Sequence, residues 1–570
     1  MKHIEHSTDL CVVGGGIAGL CTAVSAARNG IKVVLMQDRP MLGGNASSEI
    51  RMWMGGAKGK NLRETGIVEE MMLENYYINK SLSFSVWDDV LYGIVKGEKN
   101  ITLLLNCSCL EASCDGNVIK SVKGWQMTSE TYHTVYAKYF ADCSGDSILA
   151  PLTGAKYMLG REAKSDFGET IPPDVADKHT MGMSILLQPR ERDHKCEFIP
   201  PEWAYVYEDD KALNQRPHNM RDESTNFWWI ELGGMDDSIH DTDRLHDELK
   251  KIAYGVWDHV KNKGDHGADN WELEWVGAIP GKRESRRYVG EYTVTQNDVE
   301  AGGKFHDAVA YAGWSMDDHF PEGFYYEGGH PTIYHPAPSP WCLPLRALYS
   351  KETENLVFAG RNISVTHAAL SSCRVMATCG TLGQAIGTAV AIAVKDEKHL
   401  RDIDVDKLQQ TLLYDDIFIP GGKRKVSELT KNARTSEKYE VLKNGFDRPI
   451  GDDSNCAVVK CGEEITFGFD SYRDISEIRL IFDSDLNRER YNMPSMFKLN
   501  EPHYKVPKTL VKGYKITAHT EDGDVTVYET NKNRLRMNKL PVNIKTDKLT
   551  LIPTETWGNE EVNIFSVDFI

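Results

Sequence analysis

Gly14, Gly16 and Gly19 stand two and three residues apart, with Gly15 and Ala18 between them, in the run Val13-Gly-Gly-Gly-Ile-Ala-Gly-Leu20. Glycines so spaced suit one task, the approach of bare backbone N–H groups to a diphosphate. Gly14 lets the chain turn sharply, Gly16 has no Cβ to hold a phosphate away, and Gly19 lets a following helix pack closely. The acidic residue that commonly grips a ribose about 20 residues later is here Gln37, with Asp38 beside it. A carboxamide can accept a ribose hydrogen bond, more weakly than a carboxylate. Gln37 is therefore the expected ribose contact, and Asp38 a secondary one.

Such a loop works only between a strand and a helix, and the flanking residues supply both. The apolar run Leu10–Val13 reads as a strand, Leu20–Arg28 as a small-residue helix ended by Asn29-Gly30, and Ile31–Met36 as a second strand. This is the βαβ unit of dinucleotide-binding folds. Residues 65–76 read as an amphipathic helix, and 101–141 as a strand meander turning at Asp115-Gly116. A buried strand returns at 355–361. A long helix follows from about Arg374 to Lys395, with Ala377, Gly380, Gly383, Ala385, Gly387 and Ala389 small enough to admit another backbone.

The expected class is α/β: a Rossmann-like domain with an inserted α+β substrate domain, then an all-β sandwich. The boundaries read as 1–155 for the first part of the nucleotide domain, 156–345 for the insert, rich in Trp, Tyr, His and Pro, and 346–420 for the return segment. A linker at 421–449 then leads to alternating strands over 450–570.

Composition narrows the partners. Lys and Arg number 66 against 84 Asp and Glu, a net charge of −18, which disfavours nucleic acid and anionic lipid and leaves a small molecule as the expected ligand. The first nine residues hold no apolar leader core, and no apolar run reads as long enough to span a bilayer. Twelve cysteines are scattered without a C-x-x-C pair, which points to reduced thiols, a cytoplasmic setting and no redox disulfide or zinc site. His319, His330 and His335 read as ordinary loop histidines, since no metal-ligand spacing accompanies them.

Four stretches together carry a family resemblance: the βαβ unit, Pro40–Arg51, Phe140–Ala155 and Phe358–Arg374. In this order they resemble the FAD-dependent oxidoreductases of the glutathione-reductase superfold, on the branch of fumarate reductase and succinate dehydrogenase flavoproteins. The likeness is closest to a bacterial group known simply as FAD-dependent oxidoreductases, and it covers residues 1 to about 420. It implies FAD as cofactor, held by the glycine loop with Arg39, Gly44 and Asn45, by Ser144 and Gly145 over the adenosine half, and by Gly360 against the ribityl chain. Arg361 stands where the family has an acidic residue and would pair with the pyrophosphate. Gly380 lies near the start of a helix aimed at the flavin.

In that branch a histidine and an arginine of the return segment hold the substrate, and His367 and Arg374 fall on their places. His367 would accept or donate a proton, with Arg374 and Arg51 orienting the substrate. A single glycine fingerprint leaves no second nucleotide site for NAD(P)H. The expected reaction is hydride transfer between flavin and a hydroxylated substrate, a sugar or sugar acid being the favoured kind. The rivals are reduction of an activated C=C bond, using Arg283, Arg286 and Arg287 for carboxylates, and a glycan-binding scaffold without turnover. The tail loosely resembles galactose-binding-like sandwiches, which could hold glycans or support a homo-oligomer.

Overall fold

The computed structural model describes residues 1–489, 491–500 and 504–570. They fall into two compact units. The first comprises Met1–Ala57, Leu82–Leu408 and the described part of 491–503; the second comprises Lys58–Ser81, 409–489 and Tyr504–Ile570.

The first unit is organised by a parallel sheet. Strand β1 (Lys2–Val13), helix α1 (Ile17–Arg28), β2 (Val33–Met36) and β3 (Ile101–Leu104) come first, then β4 (Cys107–Asp115), β5 (Val118–Gln126) and β6 (Thr131–Asp142). The hydrogen-bonded order is β3-β2-β1-β6-β5-β4, and the strand Leu356–Phe358 also pairs with β6. The pairs β1 with β2, β2 with β3, β1 with β6, and β6 with Leu356–Phe358 are parallel, while β4, β5 and β6 form the antiparallel meander. β1 starts earlier than its apolar run because β6 is equally long and pairs with it from Lys2 onward.

Register places the site. Val13 is opposite Asp142, and Asp142 is opposite Phe358. The turns that begin at Gly14, Cys143 and Ala359 therefore leave the sheet side by side at its carboxyl edge, where open α/β sheets bind ligands.

The helix Met376–Lys395 packs on α1 backbone to backbone. A Cβ on Gly383 would stand 2.1 Å from the Ala18 carbonyl oxygen, and one on Gly387 would stand 2.3 Å from that of Thr22. Ser25 Oγ bonds the Gln384 carbonyl at 2.9 Å and Thr388 Oγ1 at 2.8 Å. This helix corrects the expectation that no run is long enough to span a bilayer. Its 20 residues, with mean hydropathy 1.4 in the best window, would suffice by length and composition, but 94% of that window is buried inside the protein. Its apolarity is that of a core helix facing neighbours on all sides.

The middle residues share the first unit and form no separate compact body. Their core gathers around the helix Thr242–Asn262, with Trp229, Trp257, Leu249 and Ile252 among the fully buried side chains.

The second unit departs from the expected boundaries. Lys58–Ser81, with its helix Ile67–Ile78, belongs here and not with the nucleotide fold. The expected linker 421–449 is also part of the unit: Arg424 is buried on Asp568 and Ser566, and Tyr439 and Leu442 are core residues. Six antiparallel strands, Ala457–Lys460, Ile465–Phe482, Val511–Thr520, Gly523–Thr530, Met537–Thr556 and Glu561–Phe569, follow one hydrogen-bonded path. The long strands Ile465–Phe482 and Met537–Thr556 pair with register shifts between Gly468 and Arg473 and between Ile475 and Glu477, irregularities that bend a strand locally.

Candidate active site

The glycine turn has the form its spacing requires. Gly14 has φ +101°, and a Cβ there would meet the Cys143 carbonyl and Ser144 nitrogen at 2.5 Å. A Cβ on Gly19 would lie 1.8 Å from the Gly14 oxygen. Around Gly16 there is room: a Cβ would find nothing nearer than Gly44 Cα at 3.8 Å. Gly16 also caps α1 without offering a side chain to its first N–H groups. Donors left without an internal partner beside open space, at the positive end of a helix, fit the diphosphate of a dinucleotide. Gly43 N donates to Gly15 O at 2.9 Å, which lays the Gly44-Asn45 turn over this opening. Ala18 lies in the first turn of α1, and its Cβ is 3.5 Å from where a Cβ on Gly360 would stand.

Other expected contacts are engaged within the protein. Gln37 is buried; its Oε1 accepts from Gly15 N at 2.6 Å and its Nε2 donates to the Met41 carbonyl at 3.0 Å. Both ends of the carboxamide shape the phosphate loop, each through one of its two hydrogen-bonding positions. Asp38 is exposed, and Arg39 pairs with Glu49 at 3.3 Å. Asn45 Nδ2 donates to the Lys282 carbonyl at 3.0 Å. Arg361, expected on the pyrophosphate, donates to Asp146 Oδ1 and Ser285 Oγ, each at 2.7 Å. Lys282 reaches the same carboxylate at 2.8 Å, and despite burial the two cations hold Asp146 well below the usual carboxylate range. Gly145 (φ +80°) lies against that arginine, and Gly380 is buried in the helix Met376–Lys395.

Asp142, which the sequence marked only as the end of a strand, organises the carboxyl edge. Its carboxylate accepts from Ser144 N and Oγ at 3.0 and 2.7 Å, Leu149 N at 2.8 Å and Tyr288 Oη at 2.6 Å. Burial raises its pKa although these donors oppose the rise.

The return segment carries the second half of the site. Thr366 caps the helix His367–Cys373, and His367 N donates to Glu162 Oε2 at 2.9 Å. The His367 ring is clamped: Nδ1 lies 2.9 Å from Glu284 Oε2 and Nε2 lies 3.0 Å from Asp318 Oδ1. Burial alone would lower its pKa, but Glu284 and Asp318 outweigh that and push it up to about 10. Two carboxylates can only accept, so both ring nitrogens donate and the residue is an imidazolium. In that form the ring has no lone pair with which to accept a proton, and both of its nitrogens carry a proton that can be donated.

Around this clamp lies a buried charge cluster. Arg287 pairs with Glu162 at 3.0 Å and Glu284 at 3.2 Å, His319 with Glu231 at 2.8 Å, Arg283 with Glu231 at 3.3 Å, and Arg374 with Asp317 at 3.5 Å. Burial opposes ionisation of Glu231, Glu284 and Asp318, yet their cationic neighbours keep all three below the ordinary range. His319, buried at the end of the strand Met316–His319 with Nδ1 2.8 Å from Glu231 Oε2, is thus no ordinary loop histidine. Asp317, Asp318 and Arg374 are its partly accessible members, with side chains 14, 15 and 12% exposed. The acids of this cluster come from 162, 231, 284, 317 and 318; the sequence held no spacing signal for them, because only tertiary folding brings them together.

Arg51 is placed otherwise. Its backbone is left-handed (φ 62°), its guanidinium lies 4.4 Å from the Trp275 ring and 4.8 Å from that of Phe84, and Nη1 donates to Gln188 Oε1 at 2.7 Å. None of these contacts is with His367, Arg374 or their partners. Burial lowers its pKa to about 10. Arg286 lies over Tyr157, and Arg283 and Arg287 are paired with internal carboxylates, so these three do not form a free set for a dicarboxylate.

Comparison with known proteins agrees with the dinucleotide fold. A description of the "FAD dependent oxidoreductase" family matches residues 9–412. Glycerol-3-phosphate dehydrogenase of Mycobacterium leprae (strain TN) is 36% identical over 66 residues, 12% of this chain and 11% of that protein. The chain thus matches only a small part of the length of its curated relatives. Among solved structures, a geranylgeranyl bacteriochlorophyll reductase-like protein from Thermoplasma acidophilum is 11% identical, covering 72% of this chain and 86% of that one at TM-score 0.34. A p-nitrophenol 4-monooxygenase from Pseudomonas putida DLL-E4 is 10% identical, covering 74% and 91% at TM-score 0.32. A family 32 carbohydrate-binding module from Streptococcus pneumoniae EndoD is 12% identical, covering 25% and 99% at TM-score 0.20.

The chain belongs to the FAD-dependent oxidoreductase family. The family's cofactor, FAD, is the cofactor of this chain.

Proposed function

We propose that the enzyme moves a hydride between FAD and a small, hydroxylated, polar substrate, with carbohydrate-derived alcohols and acids the leading class. The cofactor supplies the hydride chemistry. This chain's residues bind, orient and handle the proton. The glycine turn, the Gly44-Asn45 turn and Gly360 hold the cofactor; Arg374 and Asp317 orient substrate oxygens; the Asp318 carboxylate takes the hydroxyl proton in one direction and returns it in the other. His367 is a positioning residue that keeps Asp318 ionised and fixed.

One observation carries this reading. The stretch 360–374 begins where Gly360 meets α1 and, seven residues on, anchors Asp318 through His367. A short rigid segment thus ties the cofactor fold to the accessible acids.

The test is anaerobic bleaching of the flavin by a panel of sugars, polyols and hydroxy acids. At least one should bleach it, and Asp318→Asn should slow that bleaching by about 10²–10⁴-fold, the usual span for a lost general base. Flavin that dithionite reduces but no hydroxylated compound does would sink the proposal. Reduction of a C=C bond is the weaker reading, since Arg283 and Arg287 are already paired.

A further inference from the structure

Outside the flavin site, three histidines converge on one carboxylate. Nε2 of His259, His218 and His266 lie 3.1, 3.5 and 3.6 Å from Asp210 Oδ1. The four ligand atoms all fall within 4.8 Å of one another. Asp210 opens a short helical turn, Asp210–Leu213; His259 is in the last turn of the helix Thr242–Asn262; His218 and His266 are on loops. No two of the four are close in sequence in any metal-binding pattern, which is why the chain read as lacking a metal site.

Two features distinguish this cluster from a chance gathering. His259 Nδ1 meets the Tyr207 carbonyl at 2.8 Å, and His218 Nδ1 meets the Arg216 carbonyl at 2.6 Å. A carbonyl only accepts, so each Nδ1 carries the hydrogen and each Nε2 is turned inward, as second-shell carbonyls orient metal-bound histidines. His266, with its side chain 9% exposed, aims Nε2 at the same point and gives that buried atom no hydrogen-bond partner. Inward-facing ring nitrogens gathered on a carboxylate suit a cation at their centre.

We propose that Asp210, His218, His259 and His266 bind one divalent first-row transition metal, zinc on the ligand set. Three imidazoles and one carboxylate make a closed tetrahedral N₃O site, with metal–ligand bonds of about 2.0–2.2 Å that require the four atoms to draw together slightly. All positions are filled by protein, so the role is structural. Arg216, between two of the ligands, donates to the carbonyls of Gly323 at 2.9 Å and Tyr326 at 3.1 Å, and also to that of Gly329. The ion thereby braces the segment that follows the strand Met316–His319, which carries Asp317 and Asp318.

The experiment is metal counting on the purified, FAD-loaded full chain, as isolated and after chelation and reloading with zinc or cobalt(II). The expected result is about one equivalent per chain, tetrahedral ligand-field bands for the cobalt form at wavelengths beyond the flavin absorption, and loss of both in His266→Asn and His218→Asn. Chelation should lower the thermal midpoint by about 5 °C, and zinc should restore it. The flavin spectrum should be unchanged, which separates this site from the cofactor site. Wild type that retains well under one equivalent after loading with either metal overturns the proposal. So does an equivalent retained equally by folded, FAD-bound variants of His218 and His266.

Discussion

His367 Nε2 stands 3.0 Å from Asp318 Oδ1 while Nδ1 is held by Glu284 at 2.9 Å, so one imidazolium bridges two carboxylates inside the protein. Its folded pKa of about 10 exceeds the ordinary value of 6.5. The sign follows: its stabilisation is complete below about pH 6.5 and is lost as pH rises through about 10. Substrate-driven flavin reduction should therefore show no inflection near pH 6.5 from this residue and should decline toward pH 10. His367→Gln keeps hydrogen-bonding capacity but removes the charge, so Asp318 should become easier to protonate and the acid limb of the rate profile should move up in pH. A wild-type rate that climbs with an apparent pKa near 6.5, absent from His367→Gln, would show a neutral histidine acting as base.

Gln37 gives a prediction opposite in sign to what its sequence position implies. If it were a weak ribose ligand, Gln37→Glu would restore the usual carboxylate and tighten FAD binding. In the structure Nε2 donates to the Met41 carbonyl and Oε1 accepts from Gly15 N. A carboxylate keeps the second bond and faces the Met41 oxygen without a donor, at a cost of about 1–3 kcal/mol. FAD affinity, measured by fluorescence titration of the deflavinated protein, should weaken in Gln37→Glu.

That contrast shows where sequence reading succeeds. The strand–glycine–helix unit was legible because much of its reason is local: Gly14 has a left-handed φ, and Gly19 packs against the Gly14 oxygen of the same supersecondary unit. The return segment and its small-residue helix were legible for a related reason, since small side chains at helical spacing advertise a close neighbour. The acids around His367 were not legible, because they come from four separate segments, at 162, 231, 284 and 317–318, and no period links them. The hydrogen-bond partners of Gln37 and Arg361 were also hidden, since a position in a motif says nothing of which polar atoms the surrounding loops will claim. Composition alone misassigned 421–449, whose charges include Arg424, buried on Asp568.

The packing of α1 on the helix Met376–Lys395 separates two glycine-to-alanine changes. Gly383→Ala drives a methyl to within 2.1 Å of the Ala18 oxygen, and should cost about 1–3 kcal/mol with loss of bound FAD, because α1 carries the phosphate loop. Gly93→Ala, in the helix Phe84–Gly97, meets nothing within 4 Å and should stabilise by about 0.4–1 kcal/mol. Thermal unfolding of the two holo-variants, with flavin release followed in parallel, checks the pair; equal destabilisation would mean the close approach is absent.

Acid sensitivity in the second unit should centre on Glu69. Arg488 grips it through two bonds of 2.8 and 2.7 Å and Arg63 adds a third at 3.1 Å; Glu69 and Arg63 are buried and Arg488 is partly buried. Burial would raise its pKa, but the two arginines outweigh this and bring it down to about 2 from the ordinary 4.5. A depressed folded pKa gives stability that is fully present above about pH 4.5 and lost as pH falls toward 2, on the order of 3 kcal/mol at neutral pH. Glu69→Gln discards that term and leaves the buried Arg63 and the partly buried Arg488 short of charge, a loss of about 3–5 kcal/mol at pH 7. Denaturant unfolding at pH 7 and pH 3 should show the gap between wild type and variant narrowing at the lower pH, since only the wild type still has a carboxylate to protonate. A gap of constant size across that range would mean Glu69 is not ionised in the folded protein.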